Sequence, residues 1–358
     1  MGTREIKSLT GLRGVAAIGV MFFHYFIFVH WVPDKISLQT AIIKSVNQMH
    51  FFVDLFFILS AFVMTLSYAS YFDKRIQRSD YKTYLLKRIA RIYPLYLFNL
   101  ICYLIVFGRN GLEIKQLLIN LLFFNIFFES KYNFNFVAWS LSVEFLAYLF
   151  FPLLFFLLAK LKHFSYLALF FSVFLYFYSE VSGISYVLSY DDLSVHSVTQ
   201  NVSISGSNAI IRCLAGYLLG IGLALNRNRI VIPKILQILI IPVGFIISLL
   251  NLSIIFTVLI FSTLVLMLGQ FSIIDKLFSN RIMYYLGLIS YSIYLNHTLV
   301  SSLVTKFFDP NIKPEFFLIV SILITLLLST FTYYIVEVKG GKLVRNYFIK
   351  TTAQSYLR

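Results

Sequence analysis

The sequence predicts an all-α membrane protein of about ten transmembrane helices with both termini in the cytoplasm, and three observations carry that expectation. Composition is the first: of 358 residues, 59% are hydrophobic and 13% charged, against roughly 25% charge in a soluble domain. Next comes spacing, because apolar runs near the ~20 residues a bilayer requires recur along the chain. Charge placement is the third, since 30 Lys and Arg stand against 15 Asp and Glu, a formal net charge of +15. Such an excess marks either a nucleic-acid partner or a positive-inside bias, and the positions decide between them.

Taken in order, the first run, 12–30, follows basic residues as a signal peptide would. Arg13 and His24 interrupt it and no small-residue cleavage site follows, so it reads as the first span. The second, 50–70, opens HFFVDLFFILSAF (50–62); the basic stretch 71–91 then reads as a cytoplasmic loop leading to the third run, 92–108. That loop ends in KRIARIYP (87–94), where Pro94 permits a break at the membrane surface. The stretch 112–128 carries Glu113, Lys115 and Glu129 around a core of only about 12 apolar residues, so an interfacial or re-entrant segment is expected. Runs at 136–159 and 163–179 follow, and then a polar stretch of about 180–207, with Asp191 and Asp192 and no Lys or Arg, that suits an external loop. The runs 208–225, 231–249, 252–269, 282–304 and 315–337 complete the ten. On this topology 22 basic residues fall on the cytoplasmic side and 8 on or near the other, so most of the excess is topological and no nucleic-acid partner is needed. Residues 1–337 are expected to form one integral membrane domain and 338–358 a short basic cytoplasmic tail. Cys102 and Cys213 both lie in apolar runs, and neither a disulfide framework nor a metal-ligand spacing is present.

Ionisable groups inside a bilayer cost at least a few kcal/mol each, so those that remain are candidates for function. Arg13 and His24 are 11 residues apart, which places them within about 20° on one helix face and roughly 16 Å apart along the axis. A positive-inside anchor and a hydrogen-bonded interhelical histidine would look the same. Asp54 comes to a depth similar to His24, where a carboxylate would fix the tautomer of the imidazole and raise its basicity for general-base catalysis. Equally, Asp54 could pair with any polar neighbour in the bundle. Glu144, in WSLSVEF (139–145), and His297, in SYSIYLNH (290–297), project to the middle or outer half of the membrane and suggest a shared polar cavity. Arg88 and Arg91, at i and i+3 on one helix face, suit a phosphorylated cytosolic ligand or anionic lipid headgroups.

Together LTGLRGVAA (9–17) with its Arg13/His24 pair, DLFFILSAF (54–62), KRIARIYP, WSLSVEF and SYSIYLNH occur in an order that resembles the acyltransferase-3 family of multi-pass membrane acyltransferases, with TYYIVE (332–337) a weaker match. The resemblance implies a ten-helix domain that moves an acyl group, usually acetyl, from cytosolic acetyl-CoA or another acyl-CoA to a hydroxyl of an extracytoplasmic glycan. It implies that His24 matches the family's essential histidine and that Arg13, Arg88 and Arg91 match its functional arginines. No metal is implied. Two departures stand out: Ala61 replaces a frequent glycine, and VEVKGG (336–341) lacks the proline that often follows the glutamate, which puts Glu337 in doubt. Some relatives carry a fused extracytoplasmic esterase-like domain; with about 20 residues after the last span, none is expected here.

The mechanism expected on this basis docks the phosphates of CoA on Arg88, Arg91 and Arg13 and brings the thioester to His24, which, oriented by Asp54, acts as general base on the acceptor hydroxyl or accepts the acyl group transiently. Trp139, Glu144 and His297 would bind the acceptor from the outer side. A bacterial inner-membrane enzyme acting on an envelope glycan such as lipopolysaccharide O-antigen is the reading this favours, with acyl-CoA, the acceptor glycan and the bilayer as its partners. A proton-coupled transporter or flippase, or a lipid or small-molecule O-acyltransferase, are the alternatives.

Overall fold

Backbone N–H and C=O groups find no partner in hydrocarbon, so an apolar chain satisfies them within its own helices. The computed structural model describes residues 5–28, 45–107, 114–128, 133–182, 206–250, 252–268, 270, 273–307 and 313–355, and none of these residues is in a strand. The helices are α1 (Lys7–Phe28), α2 (Phe52–Phe72), α3 (Arg78–Phe107), α4 (Ile114–Leu121), α5 (Ala138–Ala159), α6 (Phe164–Ser182) and α7 (Gly206–Asn226). They continue with α8 (Lys234–Leu250), α9 (Ile254–Met267), α10 (Ile273–Ser279), α11 (Arg281–Leu288), α12 (Ser290–Phe307), α13 (Pro314–Thr332) and α14 (Lys339–Ser355).

Among the described residues seven helices are long and apolar enough to cross a membrane: α1, α2, α3, α5, α6, α7 and the run Pro314–Phe348. Their outward faces are apolar as well: Phe170, Phe174 and Phe177 on α6 and Leu323, Leu327 and Phe331 on α13 are all exposed. Stripes of that kind would need covering in water, and lipid covers them in a multi-pass membrane protein.

Close helix contacts are made where side chains are small. On α7 a Cβ at Gly220 would stand 2.4 Å from the carbonyl oxygen of Ile58 and 2.7 Å from the Cβ of Ala61. Ala61 therefore packs against a glycine of the neighbouring helix. On α13, Ser321, Thr325, Ser329 and Thr332 are fully buried. Their spacing puts them on one face, so a slender polar stripe is turned inward.

Several expected elements take a different form. The stretch 71–91 is a loop only over 73–77: α2 ends at Phe72, and α3 starts at Arg78 and runs through Pro94. Tyr84, Ala90, Ile92 and Leu95 are buried, so packing keeps the segment helical despite its charge and proline. The span expected at 282–304 is divided into α11 and α12 at Ile289. Ser290 Oγ donates to the carbonyl of Gly287 at 2.8 Å and satisfies an acceptor at the end of α11. Runs 231–249 and 252–269 appear as shorter helices of 17 and 14 residues, the first containing Pro242. The basic tail is helical too: a π-helical turn, Tyr333–Val338, joins α13 to α14. The external loop expected at 180–207 falls for the most part outside the described residues.

The segment 112–128 is too short to span, with eight residues in α4 and a 3-10 turn at Asn125–Phe127. Asparagines tie it to the bundle: Asn125 Nδ2 donates to Asn120 Oδ1 and to Asn133 Oδ1, each at 2.9 Å, and Ser142 Oγ donates to Asn125 Oδ1 at 3.0 Å. Irregular backbone is tolerated at membrane depth only where protein satisfies it in this way.

Candidate active site

Five helices line a cavity of about 80 Å³. Its polar lining is Arg13 from α1, Arg91 from α3, Ser140, Glu144 and Tyr148 from α5, and Ser290, Tyr291 and Tyr294 from α12. Val53, Phe56 and Phe57 of α2, with Ile92 and Leu141, form the apolar walls. Tyr148 Oη donates to Glu144 Oε1 at 2.6 Å, so the carboxylate is held on its own helix one turn away.

The cations at this end are held differently. Arg91 forms an ion pair with Glu337, whose other oxygen accepts from Ser292 Oγ at 3.0 Å. Glu337 is 3% exposed and lies on the π-helical turn, a feature often found at functional sites. Glu337 is thus paired with Arg91 although the proline that often follows it is missing. Arg88 donates to Tyr68 Oη at 3.3 Å and packs over the rings of Tyr68 and Tyr148 at 5.5 and 5.9 Å. Its buried Nε has no hydrogen-bond partner among the described residues. The sharing of one face by Arg88 and Arg91 is as expected, and Tyr148 connects Arg88 to the cavity.

At the other end stands a histidine pair. His24 Nδ1 lies 2.9 Å from His297 Nε2, and the rings are 4.9 Å apart at 21°. His297 Nδ1 lies 3.2 Å from the carbonyl oxygen of Ile293. Phe136 packs edge-on to His24 at 5.1 Å. Tyr294, which lines the cavity, has its ring 5.9 Å from that of His297. The cavity thus ends one aromatic ring from the histidines.

The expected contact between Asp54 and His24 is replaced by another. Arg212 of α7 donates to Asp54 through Nε at 3.3 Å and Nη2 at 2.5 Å. Both residues are essentially inaccessible, at 1% and 0% exposure. A carboxylate buried in this way takes the nearest full cation rather than a neutral ring. Trp139, expected to offer a stacking face to an acceptor, is buried with the guanidinium of Arg212 5.7 Å from its ring. Glu144, expected to serve the outer side, lines the cavity with Arg13 and Arg91. His297, also expected to contact the acceptor, contacts His24.

A second polar network, read from no ionisable residue, adjoins the histidines. Asn135 Nδ2 donates to Asn99 Oδ1 at 2.9 Å, Thr298 Oγ1 to Asn135 Oδ1 at 3.0 Å, and Asn296 Nδ2 to Thr332 Oγ1 at 2.9 Å. It ties α3, α12 and α13 together on both sides of His297. Arg212 was the one decisive residue open to detection: a cation inside the apolar run 208–225 calls for a buried carboxylate, and Asp54 is such a group.

Comparison with known proteins adds to this geometry. A family model described as an acyltransferase domain matches residues 6–335. The chain is also similar to a protein of Acidianus two-tailed virus that carries the name "Putative acetyltransferase ORF330", with 30% identity over 146 residues. The match covers 40% of this chain and 39% of that protein, so the chain spans well under half of the relative's length. No solved structure matches.

Proposed function

The chain belongs to the acyltransferase-3 family, and from that membership we propose that it takes an acyl group, acetyl in the first instance, from cytosolic acyl-CoA and delivers it to a hydroxyl of an envelope glycan such as lipopolysaccharide O-antigen. The observation that carries the reading is the cavity that begins at Arg13 and Arg91 and ends at Tyr294, beside the histidine pair. One end suits phosphates and the other suits proton transfer.

In this mechanism the donor's phosphates dock on Arg88, Arg91 and Arg13, where guanidinium groups bind them bidentately. The pantetheine arm runs along the apolar wall of Phe56 and Phe57 toward His24. His24 removes the proton from the acceptor hydroxyl as its oxygen attacks the thioester carbonyl. The carbon–sulfur bond breaks, the CoA thiolate leaves, and the proton held on His24 returns to it, leaving an ester and free CoA. Asp54 takes no part, because Arg212 already compensates it.

Ten crossings, with both termini on the cytoplasmic side of a bacterial inner membrane, complete the proposal. The helices α8 and α9 and the broken pair α11–α12 supply the three beyond the seven longest. The 22 basic residues placed inside then flank the end at which the donor enters.

The test is acyl transfer by purified, membrane-reconstituted protein from labelled acetyl-CoA, together with mass analysis of surface glycans. His24→Ala is expected to lower transfer by at least ~100-fold, the scale of a lost general base, while the protein still inserts. Undiminished transfer by that variant would remove His24 from the chemistry.

A further inference from the structure

The general base of an acyl transfer has to do two opposed things: take a proton from a hydroxyl and give it up to a leaving thiolate. What faces its second nitrogen decides how well it does each. For His24 the side-chain partner is the ring of His297, 2.9 Å away, and the backbone of Val20, one turn back on α1, adds a hydrogen bond that only a protonated ring nitrogen can make.

The protonation pattern follows from acceptors that cannot donate. The carbonyl oxygen of Ile293 faces His297 Nδ1 at 3.2 Å, so Nδ1 of that ring carries the hydrogen. A neutral imidazole with its hydrogen on Nδ1 has a lone pair on Nε2, and that lone pair faces His24 Nδ1. The hydrogen between the rings therefore belongs to His24, whose Nε2 is left as the basic nitrogen. His297 is fully buried and held from several directions. Its backbone carbonyl accepts from Tyr25 Oη at 3.0 Å. Its neighbours Asn296 and Thr298 are fixed to Thr332 and Asn135.

We propose that His297 is the positioning residue of the site: a neutral acceptor that fixes His24 in its Nδ1–H tautomer and presents the Nε2 lone pair to the acceptor hydroxyl. The assignment rests on the catalytic role proposed for His24. Its chemical sense lies in the absence of charge. A carboxylate at the fully buried position of His297 would stabilise the imidazolium strongly and oppose return of the proton to the thiolate. A neutral ring orients the base without trapping the proton, and the structure keeps the nearby carboxylate of Asp54 occupied with Arg212.

The first measurement needs no substrate: nitrogen NMR of the full-length, 15N-histidine-labelled protein, with the His24 signals assigned by their loss in His24→Ala. His24 is expected to show a protonated Nδ1 and an unprotonated Nε2, and a protonated Nε2 overturns the proposal. Kinetics on two variants supply the second. His297→Leu removes the acceptor and is expected to lower kcat about 100-fold with acyl-CoA affinity unchanged. His297→Gln, whose amide oxygen replaces the accepting nitrogen, is expected to recover activity to within about tenfold of the parent. A glutamine variant as inactive as the leucine variant, with both inserted and binding acyl-CoA, overturns the acceptor role, as does a fully active leucine variant. If His24→Ala itself remains active, the parent reading fails instead; the tautomer still reports separately on the contact between the rings.

Discussion

Removing a charge from water costs several kcal/mol, and at Asp54 and Arg212 the two costs are offset against each other. Either residue alone is a liability at 0% and 1% exposure, which gives the pair an asymmetric signature. Asp54→Leu or Arg212→Met is expected to destabilise by about 3–5 kcal/mol, because each leaves an uncompensated buried ion. The double variant is expected to be far milder, measured as thermal unfolding in one detergent. Additive losses would mean that the two groups do not act as a pair. This residue pair also marks how far sequence alone reached. Arg13, His24, Asp54, Glu144 and His297 were legible as expensive charges or rings in apolar runs. Partner choice was not, because depth along a helix does not say which faces meet. His24 meets His297, Asp54 meets Arg212, and the asparagines carry no charge that would mark them in the sequence.

At the scale of elements, the helix that carries Arg13 is positioned by a glycine on another helix. A Cβ at Gly287 of α11 would stand 1.9 Å from the carbonyl oxygen of Thr10 and 2.9 Å from its Cγ2. Backbone cannot yield as a side chain tip does, so Gly287→Ala must push α1 away from α11. Such overpacking costs typically ~1–3 kcal/mol, and the displacement acts three residues from Arg13. The variant is expected to insert normally but bind acyl-CoA more weakly, whereas Gly244→Ala, on α8, where an added Cβ would meet only the Cγ2 of Ile260 at 3.2 Å, leaves affinity unchanged. Equal affinity in both would detach the α1–α11 contact from the site. The same contact explains a boundary that hydropathy could not show. Apolar content runs through 282–304, and the division at Ile289 is made by tertiary packing. Likewise, the charge of 71–91 read as a loop while buried Tyr84 and Leu95 keep most of it helical. Runs such as 136–159, where composition and packing agree, were legible to within a few residues.

For the whole molecule, the issue is whether its two chemical ends act on one ligand. Arg88 and Arg91 lie at one end of the cavity and its links, and the His24–His297 pair lies beyond Tyr294 at the other. A donor long enough to touch both should be recognised at both, so shortening the ligand and altering the protein at the same end should remove the same interaction. Acyl-CoA and acyl-pantetheine, which lacks the nucleotide and its phosphates, provide the ligand half of such a cycle. Arg88→Gln and Arg91→Lys provide the protein half; lysine retains a cation for Glu337 but loses the bidentate fork. The parent is expected to prefer acyl-CoA by at least ~10-fold, since charge-assisted hydrogen bonds contribute about 1.5–3 kcal/mol each. In the double variant the preference should shrink toward unity, with affinity for acyl-pantetheine little changed. Isothermal titration with hydrolysis-resistant analogues reads all four corners. If affinity for both ligands falls by the same factor, the arginines act on the fold or on lipid and the cavity does not span the donor. A loss confined to acyl-CoA ties the cationic end to the nucleotide and leaves the acyl end within reach of His24.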